Sequence, residues 1–291
     1  MTPAPDWVPL AEAVRLVATD LDGTLLRPDL AVSARTIATL ERARAAGMPV
    51  VFVTGRPPRW IPPVVEVTGH LGVAICANGA IVMDMVNGTM LESHAMEADV
   101  IEEVVTTLRL EVPGISFAVE WVDEGSTSHG TELFARESHF TSPYAITDVH
   151  QPDDVLLLCE GRRVVKLLAR VIDSGHDADG FLDLALSHVE HLVTLTHSNS
   201  RDVLLEMSAA GVSKGAALAS FASSHGYAAS EVAAVGDMPN DLPMIAWAGV
   251  GLGVAGAHPR VLEEADAVLP SPTQDGVAAF IDAALMSFRS R

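Results

Sequence analysis

Four short polar clusters carry the chemistry legible in this chain. The first is Asp20-Leu21-Asp22-Gly23-Thr24-Leu25. In an extended chain, side chains two residues apart return to one side, so Asp20 and Asp22 can face the same cleft, and Gly23 permits a tight turn after them. Two carboxylates held that close resist joint ionisation, so one must hold a proton or a cation must join them. The second cluster is Thr54-Gly55-Arg56, whose hydroxyl and backbone N–H groups can hold phosphate oxygens. The third is Lys214, directly after Ser213 in the first turn of a predicted helix. The macrodipole there disfavours a cation and welcomes an anion, so the lysine makes sense if it faces an anion that the helix end also attracts. The fourth, Gly236-Asp237-Met238-Pro239-Asn240-Asp241, offers acidic and amide oxygens, hard ligands of the kind Mg²⁺ takes. Each cluster alone has a plainer explanation: an acidic surface turn, a helix-entry turn, a solvated lysine, a capping turn. Those do not readily explain the set.

The elements that must position these residues follow from apolar periodicity. Val14 to Ala18 reads as a buried strand ending at Thr19-Asp20, and Ser33 to Ala46 as a helix capped by Ser33 and stopped by Gly47. Pro49 to Val53 is a second strand that ends at Thr54-Gly55-Arg56. A proline-broken helical stretch leads to a third strand, Val73 to Cys76, ending at Asn78-Gly79. Continuous apolar strands alternating with helices predict a parallel sheet covered on both faces, and the clusters are expected at its C-terminal edge, where open α/β sheets bind ligands. After about Met83 the pattern changes. Helices over Ala98 to Leu110 and near Phe181 to His188, with strands over Ile115 to Trp121, Val164 to Leu168, Leu192 to His197 and Val203 to Met207, predict a mainly antiparallel α+β insertion over 86–207. Residues 1–85 and 208–291 then form the two parts of one core. In the second part Ser213 caps a helix through Ser224, and Val232 to Val235 is a strand ending at Gly236-Asp237. Leu242 to Ala248, Val250 to Val254, Pro259 to Ala265, Ala267 to Leu269 and Gly276 to Phe288 continue the alternation.

Taken in order, DLDGTLL, TGR, the Asn78-Gly79-Ala80 triplet, LLEMSAAGVSKGAAL, VGDMPNDLPMI and the late DGVAAFI resemble the signature of the haloacid dehalogenase superfamily of phosphohydrolases. The match is closest to its Cof-type branch, whose large cap is inserted between the second and third motifs. The resemblance implies an α/β fold: a doubly wound, mainly parallel Rossmann-like core with an inserted α+β cap. It implies Asp20 as the nucleophile that forms an aspartyl-phosphate and Asp22 as the group that protonates the leaving oxygen and then deprotonates water. Mg²⁺ would be held by Asp20, the backbone carbonyl of Asp22, and Asp237, with Asp241 in support. Thr54, Gly55, Asn78, Lys214 and Asn240 would bind the phosphoryl group or the substrate, and Arg56 follows the motif without an assigned role. The cap would choose the substrate, with candidate contacts from Glu120 to Glu137, including His129 and Arg136; a sugar phosphate is the first expectation. One position departs from the pattern, Gly256 standing where relatives usually carry asparagine.

Composition narrows the partners. With 49% hydrophobic and 19% charged residues, disorder is a poor reading. A formal charge of −20, from 18 basic and 38 acidic residues, opposes nucleic acid or an anionic membrane as partner. It opposes a phosphate too, so the site must create positive potential locally, from a metal and a few basic groups. Cys76 and Cys159 read as ordinary thiols of a reducing cytosol, and no signal peptide or apolar run of about 18 residues is evident, so a cytoplasmic monomer or homodimer is expected. Two other activities compete. A phosphotransferase or phosphomutase would share the aspartyl-phosphate and differ in the acceptor. Gly251-Leu252-Gly253-Val254-Ala255-Gly256 is a formal dinucleotide-binding GxGxxG, but Pro259 follows almost at once and leaves room for a short helix only.

Overall fold

A computed structural model describes residues 5–70, 72–123, 134–141, 153–171 and 175–288. The chain divides into two compact units, one of Met1–Leu91 with Ser213–Arg291 and one of Glu92–Val212, so the units part a few residues later on each side than 86–207. In the first unit the apolar runs form β1 (Leu16–Thr19), β2 (Val50–Val53), β3 (Val73–Cys76), β4 (Ile81–Asp84) and β5 (Thr89–Ser93). After the second unit come β11 (Val232–Gly236), β12 (Val250–Val254) and β13 (Ala267–Leu269). Among the described residues they make one sheet in the order β13-β12-β11-β1-β2-β3-β4-β5. From β13 to β3 the strands are parallel; β4 turns back antiparallel on β3, a reversal that the strand-helix alternation does not reveal.

Continuous burial explains the continuous apolar runs. Leu16, Ala18, Val51, Val53, Ile75, Val232 and Ala234 share a core with Leu218 and Ala222 of α6 (Lys214–Ser224) and Met244 of α7 (Leu242–Trp247). Residues of opposite parity, such as Val17 and Phe52, are fully buried as well, so both faces are covered. Each of the larger side chains, the valines, leucines, Ile75, Phe52 and Met244, contributes about 1.5–3 kcal/mol on burial. The predicted caps form: Ser33 Oγ accepts from Thr36 N–H at 3.0 Å at the start of α1 (Ala34–Ala46), and Gly47 takes a left-handed conformation after it. The proline-broken stretch becomes a short 3-10 turn and α2 (Pro62–Thr68). Helices α8 (Pro259–Glu264) and α9 (Gly276–Ser287) complete this unit.

The second unit is an antiparallel sheet of β6 (Ser116–Val122), β7 (Phe134–Arg136), β8 (Arg163–Arg170), β9 (Val193–Thr196) and β10 (Leu204–Ala209), in the order β7-β6-β8-β10-β9. Alternate residues Phe117, Val119, Leu167, Ala169, Leu205 and Met207 pack against α3 (Ala98–Glu111), α4 (Val155–Cys159) and α5 (Ala178–Val189). The opposite side of the strands carries Glu120, Lys166, Glu206 and Ser208, all buried, with Lys166 Nζ 2.5 Å from Glu206 Oε2. Within the candidate substrate-contact stretch, Glu137 is a structural group: its oxygens accept the N–H groups of Phe117 and Val155 and the guanidinium of Arg109. Arg136 donates to Phe140 O, and His129 lies outside the described residues.

Candidate active site

Adjacent parallel strands deliver the first and fourth clusters to one place. Asp20 follows β1, and its N–H donates to Val235 O of β11 at 2.9 Å, which ties the two strand ends together. Asp237 follows β11 and accepts a hydrogen bond from Thr24 Oγ1 at 2.9 Å. Gly23 lies between them at φ +80, a left-handed backbone that favours glycine, and a Cβ there would stand 2.3 Å from Asp237 Oδ2 and push that side chain aside. Asp241, in the 3-10 turn before α7, is fully buried, and its Oδ2 accepts the backbone N–H groups of Asp237 and Met238. That carboxylate organises the loop as well as facing the cluster.

Lys214 completes the arrangement by a different route from the strand-end pattern, since it is the first residue of α6, which Ser213 caps. It is 1% exposed, and its Nζ donates to Asp20 Oδ1 and Asp241 Oδ1, both at 2.6 Å. The anion expected at this helix end is thus a pair of carboxylates from the chain itself. Burial opposes the charge on Lys214, but Asp20 and Asp241 more than offset that and raise its pKa. For Asp20 burial dominates and pushes the pKa well above the usual carboxylate value; Lys214 opposes the rise, while Asp241, Asp237 and Asp22 add to it. Asp237 is pushed up to about 7, first by burial and then by Asp241.

The second cluster and Asn78 form a knitted edge beside it. Thr54, at the end of β2, is buried and accepts the N–H of Arg56 on its hydroxyl oxygen, which leaves the hydroxyl proton to donate. Ala77 N–H donates to Arg56 O and Asn78 N–H to Thr54 O. Ala77, Asn78 and Gly79 all have positive φ, at 50°, 57° and 103°. For an alanine such a conformation costs about 1–3 kcal/mol, and this kind of strain concentrates at functional sites. Asn240 donates Nδ2 to Asn78 Oδ1 at 3.1 Å, and its own Oδ1 is buried without a hydrogen-bond partner among the described residues. Asp22 stands apart from the acidic cluster. Its oxygens accept two bonds from Arg56, Nε to Oδ2 at 2.6 Å and Nη2 to Oδ1 at 2.5 Å.

A divalent cation fits the donor set. Asp20, Asp237 and Asp241 each offer a carboxylate oxygen, all within 4.8 Å of one another. Two buried carboxylates and the half-buried Asp237 against one lysine leave an excess of negative charge that protons or a cation must balance. Burial raises Asp20 and Asp237 most and the neighbouring carboxylates add to it, and hard oxygen donors suit Mg²⁺.

Two partnerships escape the sequence reading: Thr24 on Asp237, and Arg56 on Asp22. The second follows from the parallel pairing of β1 with β2, which brings their loops side by side and which the structure reveals. The GxGxxG segment spans β12 and the following turn, in front of a helix of six residues. Gly256, where asparagine is usual, has φ +94, a left-handed backbone that both residue types favour.

Comparison with known proteins identifies the family. The model of the haloacid dehalogenase-like hydrolases matches residues 17–281. The chain is 29% identical to pyridoxal phosphate phosphatase YbhA of Escherichia coli over 92% of this chain and 97% of that protein. It is 27% identical to the 5-amino-6-(5-phospho-D-ribitylamino)uracil phosphatase YwtE of Bacillus subtilis, with the same coverage of 92% and 97%. The solved structure of BT1666 from Bacteroides thetaiotaomicron, a haloalkanoate-superfamily phosphatase, has the same fold, with a TM-score of 0.74 at 21% identity over 98% of each chain. The chain belongs to the haloacid dehalogenase-like hydrolases, in their Cof-type phosphatase branch.

Proposed function

We propose that this phosphoric monoester hydrolase is Mg²⁺-dependent and works through an aspartyl-phosphate on Asp20. The observation that carries the reading is the buried Asp20–Lys214–Asp241 arrangement with Asp237 beside it. Asp20, the Asp22 carbonyl and Asp237 would hold Mg²⁺, with Asp241 supporting the site. When bound, the ion would offset charge on the phosphoryl oxygens. Lys214 supplies a second positive centre, Thr54 a hydroxyl donor, Gly55 a backbone N–H, and the Asn78–Asn240 pair an amide edge.

In the first half-reaction an Asp20 oxygen attacks phosphorus, the bond to the leaving oxygen breaks, and Asp22 gives that oxygen its proton. In the second, water attacks phosphorus, its proton passes to Asp22, and the bond to Asp20 breaks to release inorganic phosphate. The Arg56 fork engages Asp22 as a carboxylate, the form needed for the second half. For the first, the proton takes a lone pair that the fork leaves free, since each Asp22 oxygen has two and gives one to Arg56.

The substrate is a small organic phosphate, with sugar phosphates first. Relatives named for pyridoxal phosphate and for a phosphoribityl compound support a small polar phosphomonoester. A cytoplasmic setting belongs to the same proposal. Cys76 and Cys159 are both free thiols, and among the described residues no helix is long and apolar enough to cross a membrane. Phosphate release from a panel of phosphorylated metabolites, with and without Mg²⁺, tests the reading. Turnover that survives exhaustive chelation would eliminate the metal.

A further inference from the structure

We propose that Arg56 is the positioning residue for Asp22, holding its carboxylate in the direction that the proton transfers require. This rests on the aspartyl-phosphate reading, and it gives a role to a residue that the sequence motif leaves unassigned. Asp22 sits in a turn between two constrained neighbours, the β1 end at Asp20 and the left-handed Gly23. Among the described residues Arg56 is the one hydrogen-bonding partner of its short side chain, which is 49% exposed. Arg56 is 14% exposed and takes both Asp22 oxygens at once, through Nε and Nη2. A planar two-point fork sets the rotation and tilt of a carboxylate, which one bond does not.

The arginine is itself anchored. Its N–H meets the Thr54 hydroxyl and its carbonyl accepts from Ala77, so its backbone is pinned at the end of β2 and at the left-handed turn after β3. Rigidity therefore passes from the phosphate-binding edge to the proton-transfer group. An exposed ion pair would add little to stability, so the worth of this one lies in orientation. A lysine at position 56 would keep the charge but lose the fork.

The test is a double-mutant cycle on the Mg²⁺-loaded protein with the preferred substrate from the phosphate-release panel. Arg56→Ala is expected to lower kcat by about 10- to 100-fold and to change KM by less than about threefold, since misplacing a proton-transfer group costs rate, not binding. Arg56→Lys recovers part of the loss at most. In an Asp22→Asn background, Arg56→Ala should cost less than about threefold. An equal cost in both backgrounds, or a loss carried by KM, would overturn the proposal and place Arg56 on the substrate or elsewhere. Should Arg56→Ala fail to fold, ¹⁵N-arginine spectra decide. A slowly exchanging, downfield Nε–H signal absent from Arg56→Lys is expected in the wild type and lost in Asp22→Asn; its persistence in Asp22→Asn would equally overturn the idea. Failure of the underlying mechanism reads differently: Asp20→Asn or Asp22→Asn would then keep full turnover.

Discussion

Asp20 and Lys214 divide one physical problem between them. A carboxylate buried among other carboxylates, as the proposed nucleophile Asp20 is, is costly as an anion, and the lysine at 2.6 Å is the group that opposes its protonation. Asp20→Asn keeps a side chain of the same shape beside Lys214, which retains Asp241 as its partner. We therefore expect the variant to fold, as checked by circular dichroism, and to lose turnover by about 10³-fold or more. Full activity would remove Asp20 as nucleophile. The raised Asp237 value has its own consequence. Its folded pKa, about 7, exceeds its ordinary 3.8, so the stability it contributes without metal is full below 3.8 and is lost as pH rises through about 7. Metal binding must displace that proton below about 7 and need not above it. Mg²⁺ at fixed concentration should therefore raise the melting temperature more at pH 8 than at pH 6, with an affinity that weakens as pH falls below about 7. Thermal scans at the two pH values check this, and a larger shift at pH 6 would contradict it.

At the scale of elements, the close packing of α6 on α7 sets the position of Lys214. Gly215 is the next residue, and a Cβ on it would stand 2.3 Å from Pro243 O in α7. That contact is with backbone, so it cannot yield by a rotamer change. Gly215→Ala should destabilise the protein by about 1–3 kcal/mol despite alanine's better helix propensity, and should lower activity by displacing Lys214. Urea unfolding and phosphate release measure the two effects; a stabilised, fully active variant would show that α6 is free to shift. Such contacts explain what could be read in advance. β1, β2, β3 and β11 are continuous apolar runs with polar clusters at their ends, and their chemistry stands in the sequence. The five-residue α4 and three-residue β7 are too short to show a period. The run Ile81-Val82-Met83 looks like any strand, and its antiparallel direction comes from the left-handed turn at Ala77, Asn78 and Gly79. The Arg56–Asp22 and Thr24–Asp237 bonds depend on β11, β1 and β2 lying side by side, an order that the chain sequence does not spell out.

Over the whole molecule the dominant field is repulsive to the substrate. With 38 acidic residues against 18 basic ones, an approaching phosphomonoester dianion meets a formal charge of −20 before it meets Lys214. The local attraction proposed from Lys214 and a divalent ion would act over a few ångströms in a buried site, where salt screens weakly; the surface repulsion acts over longer distances and is screened with a Debye length of about 10 Å at 0.1 M. The two contributions therefore separate by their response to ionic strength. Raising NaCl from about 10 to 150 mM, at saturating Mg²⁺ and constant pH, should weaken the repulsion and leave the site intact, so kcat/KM should rise while kcat stays nearly constant. The opposite sign, a fall in kcat/KM with salt, would mean that positive potential reaches well beyond Lys214 and its metal.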